Sequence, residues 1–131
     1  MIIDTSAIMA IVKDEPEAEA FATMLAGSTV NRISAATLVE TSIVIDRSLP
    51  PSAHKRLDAL LDGTAIVIES VTAEHADLAR TAHRRFGRGS GHPARLNFGD
   101  CFAYALAKAT GEPLLYKGDD FGQTDIRSAL E

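Results

Sequence analysis

The chain has no tryptophan, and aromatic residues make up only 5% of it, so base-stacking platforms are scarce. It has a single cysteine, Cys101. That count excludes a disulfide within the chain and argues against a cysteine-based zinc site. It fits a reducing compartment. Basic charge is also in short supply: 13 Lys and Arg against 18 Asp and Glu give a net charge of −5. A general nucleic-acid coat is therefore excluded, although a local basic patch, or cations held by carboxylates, could still engage nucleic acid. Long apolar runs are missing. The longest stretch free of Asp, Glu, Lys and Arg is Ala20–Asn31, 12 residues, too short and too polar for a membrane span. There is no basic leader, and Asp4 interrupts the apolar start, so no signal peptide is expected. The expectation is a soluble cytoplasmic protein. With no repeat, low-complexity tract or linker, residues 1–131 read as one domain.

What is present is an alternation of short apolar runs and helical patterns. Strands are expected at 1–4, 29–33, 65–69 and 114–116. Helices are expected at about 7–12, 15–25, 35–47, 52–61, 72–86 and 97–110, with Ser6 and Ser34 as caps. A short terminal helix is expected within 121–130. Ala65–Glu69 is the clearest strand, apolar enough to be covered on both faces. Gly87–Pro93, with three glycines and a proline, reads as a loop. This order implies an α/β sandwich: a central, mostly parallel sheet of four to five short strands between helical layers. Ligands of such sheets bind beyond the carboxyl ends of the strands.

Acids gather at that edge. Asp4 closes the first strand, and Asp119 and Asp120 follow the last one. Glu40 lies at the rim of the apolar face of its helix, near Ala36, Ile43 and Val44. Asp100 lies in the first turn of a helix that is apolar almost all round. Taken singly, these are ordinary cap, dipole and turn residues. Glu40 is harder to dismiss, because a half-buried carboxylate needs a cation, a donor or a metal. Four acids at one sheet edge repel one another, and a divalent cation relieves that repulsion. Their all-oxygen chemistry favours Mg2+ or Mn2+ over zinc.

Met1–Ala7 (Met-Ile-Ile-Asp-Thr-Ser-Ala), the Ser34–Glu40 stretch, Asn97–Ala107 and Leu114–Phe121 together resemble the PIN-domain ribonucleases. More narrowly, they resemble the VapC toxins of bacterial toxin–antitoxin pairs. The resemblance runs the length of the chain and implies a PIN-like three-layer α/β/α sandwich. It also implies a metal-dependent endoribonuclease that leaves a 5′-phosphate and a 3′-hydroxyl. Asp4, Glu40, Asp100 and one of the Asp119–Asp120 pair carry over as the catalytic, metal-holding acids. Asp4 and Asp100 would be the main ligands, with Asp119 favoured as the fourth acid. Thr5 and Ser6 match the polar pair after the first aspartate, where they could hold water or phosphate, and Asn97 would position Asp100. The cation would activate water and neutralise the phosphate. A VapB antitoxin blocking the acidic pocket and a toxin homodimer are the implied partners.

Basic residues cluster in one stretch: Arg80, Arg84, Arg85, Arg88 and Arg95, with His83 and His92. Arg80, Arg84 and Arg88 form a stripe where the helix persists, a plausible RNA track beside the acids. Phe86, Phe98 and Tyr104 are expected in the core. The four histidines lack metal-ligand spacing. A non-catalytic PIN scaffold that binds RNA or protein is the alternative from another class. A Mg2+-dependent phosphotransfer protein is weaker, because Ser6 occupies the position of its second acid.

Overall fold

The structure, a computed structural model, describes residues 1–131. Strands β1 (Ile2–Ile3), β2 (Asn31–Ser34), β3 (Ile66–Glu69) and β4 (Leu114–Leu115) form one sheet in the order β3-β2-β1-β4. Every pairing is parallel, which fits the expected α/β architecture. The helices are α1 (Thr5–Val12), α2 (Ala18–Gly27), α3 (Ala35–Ser48), α4 (Ser52–Gly63), α5 (Ala73–Phe86) and α6 (Phe98–Thr110).

Strand side chains alternate between faces, so even two-residue strands feed two cores. Ile2 and Leu114 pack with Phe86, Tyr104 and Leu106 on the α5–α6 side. Ile3 and Leu115 pack with Ile8, Phe21, Ile45 and Leu57 on the α1–α4 side. All four of these strand residues are fully buried. Each such side chain contributes roughly 1.5–3 kcal/mol by leaving water. The parallel sheet then sends Asp4, the β2–α3 connection and the β4 exit to one edge.

Four expectations need correction. β3 is an edge strand with Val67 43% and Ile68 52% exposed, so it is not covered on both faces. An apolar run reports strand propensity, not the number of layers above it. The first helix is capped by Asp4 rather than Ser6: the Asp4 carboxylate accepts the Ser6 N–H at 3.0 Å. The second helix starts at Ala18, because Glu15 N–H turns back to the Ala10 carbonyl at 2.8 Å. The expected terminal helix shrinks to a 3₁₀ turn, Phe121–Gln123. Beyond it the Thr124 and Ser128 hydroxyls bond to nearby backbone groups, which competes with helix formation. The chain end instead pairs alongside Leu114 through Arg127 and Ala129.

Candidate active site

Asp4 is buried where β1 gives way to α1. Its Oδ2 accepts the Ser6 N–H at 3.0 Å and the Ser6 hydroxyl at 2.6 Å. Its Oδ1 is buried with no hydrogen-bond partner. A cap needs only one of these oxygens, so capping alone does not account for Asp4. An unpaired carboxylate oxygen in a dry site is costly unless something positive reaches it. The Ser6 hydroxyl also accepts the Lys117 N–H at 2.9 Å, which ties the β4 exit to β1.

Glu40 projects from α3, half-buried. Thr5 donates its hydroxyl to Glu40 Oε1 at 2.6 Å and lies 3.0 Å from the Thr41 hydroxyl. The Thr5 and Ser6 hydroxyls thus donate to the two carboxylates, Glu40 and Asp4. Glu40 reaches across to α6 over Gly99. A methyl group on Gly99 would sit 1.7 Å from Glu40 Oε2, so only glycine admits the carboxylate there. Sequence reasoning missed this residue. Its one signal was a glycine inside an otherwise helical pattern.

Asp100 is fixed by a reciprocal capping box at the start of α6. Its N–H donates to Asn97 Oδ1 at 2.9 Å, and Asp100 Oδ2 accepts the Asn97 N–H at 3.0 Å.

The acids raise one another. Burial pushes Asp4 up most, and the Glu40 charge adds to it while the Ser6 hydrogen bonds oppose. Burial raises Glu40 as well, opposed by the Thr5 hydrogen bond and reinforced by Asp100. Asp100 rises from the ordinary 3.8 to about 6: burial dominates, the charges of Asp4 and Asp120 add, and the Asn97 N–H and Arg88 oppose. Asp4, Glu40, Asp100 and Asp120 therefore form one electrostatically linked group. Asp119 and Asp120 both lie exposed after β4, and the charge of Asp120 adds to the rise at Asp100.

No three His, Cys, Asp or Glu side chains are gathered closely enough to hold one ion between them. The donor set still fits a hard cation that keeps much of its water. It is all oxygen, it is mutually repulsive, and it contains the unpartnered Asp4 Oδ1.

The basic candidates divide. α5 ends at Phe86, so the stripe does not continue as helix, yet Arg88 still bears on Asp100 and shares a polar pocket with Arg84. Arg80 sits on the same face, 3.5 Å from Asp77. Arg85 turns away, stacking on Phe86 at 4.6 Å and lying 3.9 Å from Asp125. Arg95 is exposed and lies outside the polar pocket of Arg84 and Arg88. Phe86 and Tyr104 are buried as expected, but Phe98 is 79% exposed.

Residues 1–127 match the family model described as the PIN domain. Ribonuclease VapC28 of Mycobacterium tuberculosis is 53% identical over 131 residues, covering 100% of this chain and 98% of that protein. The chain belongs to the PIN-domain family, among the VapC ribonucleases. VapC42 of the same organism is 50% identical over 129 residues, covering 98% of each chain. The crystal structure of M. tuberculosis VapC20, described as a sarcin-ricin loop cleaving toxin, covers 95% of each chain with a TM-score of 0.74 at 22% identity. That likeness shows the shared PIN fold. No helix is long and apolar enough to cross a membrane.

Proposed function

We propose that this protein is the toxic member of a VapBC-type pair, a divalent-cation-dependent endoribonuclease silenced by a VapB antitoxin and acting as a homodimer. The observation that carries this reading is the linked acid group with the orphaned Asp4 Oδ1 at its centre. Family membership supports RNA as the substrate. Asp4 and Asp100 would hold Mg2+ or Mn2+, with Asp120 or Asp119 at the open side. When bound, the ion supplies Lewis-acid activation of water and neutralises charge on the phosphate.

The chain's own residues do the rest. Thr5 orients Glu40, whose raised affinity for protons suits it to take one from the attacking water. Ser6 fixes the Asp4 rotamer, and Asn97 fixes Asp100. Hydrolysis would leave a 5′-phosphate and a 3′-hydroxyl.

The test is incubation of partner-free protein with mixed structured RNAs in Mg2+ or Mn2+, in EDTA, and with Asp4→Asn and Asp100→Asn variants. Cleavage should require the cation and fall to background in both variants while circular dichroism stays unchanged. Adding a cognate VapB protein should stop it. Cleavage that survives EDTA and both substitutions would overturn the reading. A non-catalytic scaffold would bind without cutting, but it would have no need of the intact acid set.

A further inference from the structure

Beside the acids lies a second set of side chains that the reaction above leaves unused. α5 and α6 part to leave a pocket of about 520 Å³, floored by Ala76, Ala79, Cys101 and Phe102. Phe98 forms one wall, and Arg80, His83 and Arg84 rim it. Phe98 is the first residue of α6, 79% exposed, and meets Phe102 edge to face with centroids 5.0 Å apart. It stands in the same helical turn as Gly99 and Asp100. A polar pocket of about 280 Å³, lined by Arg88, Gly89 and Ser90, shares His83 and Arg84 with the apolar one. Arg88 in turn bears on Asp100. His83 and Arg84 thus join the apolar pocket to Arg88, and Phe98 joins it to the helical turn that carries Asp100.

The charges say what the pocket fits. Arg80 lies 3.5 Å from Asp77, whereas Arg84 and Arg88 form no salt bridge and only the charge of Asp100 acts on Arg88. An apolar slot with an aromatic wall and unneutralised arginines complements a flat base attached to an anionic backbone. An apolar peptide would satisfy the floor and leave the arginines facing nothing.

We infer that this pocket takes one unstacked nucleotide of the RNA strand, its base against Phe98 and its phosphate on Arg84 and Arg88. The pocket thereby helps select where the strand is cut. This inference rests on the ribonuclease reading of the acids.

The test uses fluorescein-labelled, random-sequence single-stranded RNA octamers, with binding read by anisotropy in EDTA so that no cleavage occurs. Phe98→Leu should weaken RNA binding roughly five- to hundredfold while leaving the binding of inorganic polyphosphate unchanged. Arg84→Ala should weaken both and lower the salt slope by about 0.7. Because the chain has no tryptophan, Phe98→Trp places a single indole in the pocket. RNA should quench it, and polyphosphate should not. Unaltered RNA binding by Phe98→Leu, with an unquenched indole, overturns the pocket's role. If sedimentation instead shows that Phe98→Leu splits a dimer while RNA affinity holds, the face lies between copies and the inference falls. Cation-dependent cleavage by the wild type with an indifferent Phe98 overturns the pocket alone. RNA that the wild type neither binds nor cuts overturns the ribonuclease reading itself.

Discussion

At the scale of single residues, the tightest constraint is the approach of Glu40 to the α6 backbone over Gly99. A Gly99→Ala methyl would overlap the carboxylate, so Glu40 must swing out and release Thr5. The expected outcome is a cleavage rate reduced at least tenfold with little loss of fold stability, because the group displaced is the free end of a half-exposed side chain. Single-turnover cleavage and urea titration measure the two effects separately. Asp100 offers a second test. Its folded-state value is raised to about 6, so between the ordinary 3.8 and 6 the unfolded chain gives up its proton first. That group therefore costs stability as pH rises from about 4 to 6, and the cost persists above. Asp4 and Glu40 act in the same sense. Glu15, Glu112 and Asp125, held low by their cationic partners, act in the opposite one. Comparing variants isolates Asp100: metal-free Asp100→Asn should melt at or below the wild-type temperature at pH 4 and above it at pH 7. A difference independent of pH would sink this account.

At the scale of elements, α6 is held at its start by Asn97 and ends in a left-handed Gly111 (φ 71°). Asn97→Ala should cost about 0.5–2 kcal/mol in urea unfolding, and Asn97→Ser should restore most of it. Cleavage should fall less than stability does, because the backbone N–H that holds Asp100 Oδ2 survives the substitution. This helix was legible in the sequence because Cys101–Ala107 is apolar almost all round and Gly111 and Pro113 follow it. The acids at strand ends were legible because a parallel sheet puts every strand exit on one edge. The order of strands was not legible. Nothing in Ile66–Glu69 marks it as an edge strand, since pairing partners are chosen by the whole fold. The exposure of Phe98 was hidden for a similar reason: a phenylalanine beside an apolar run reads as core until the helix phase is known. The choice between Asp119 and Asp120 depends on the turn after Gly118 (φ 99°), a backbone detail with no periodic signature.

At the scale of the molecule, two apolar cores on opposite faces of the sheet carry the fold, and the acid group belongs to neither. EDTA should therefore leave the far-ultraviolet spectrum unchanged. Mn2+ at a hundredfold excess over its Kd should stabilise the protein by about 2.7 kcal/mol, read as a rise in Tm. That rise should be smaller at pH 5, where protons compete for Asp100. No rise at any concentration would show that these acids bind no cation. The pairing of β1 with β4 has a further consequence. Ile3 sits opposite Leu115, and the Asp4 N–H donates to the Leu115 carbonyl at 3.0 Å. Asp4 is thus set in place by a strand that is synthesised after the other three strands of the sheet. A growing chain holds Asp4 and Glu40 long before it has Asp100, Asp120 or the strand that aligns them. If the acids are the cutting centre, the half-made protein is harmless to the RNA of the machine assembling it.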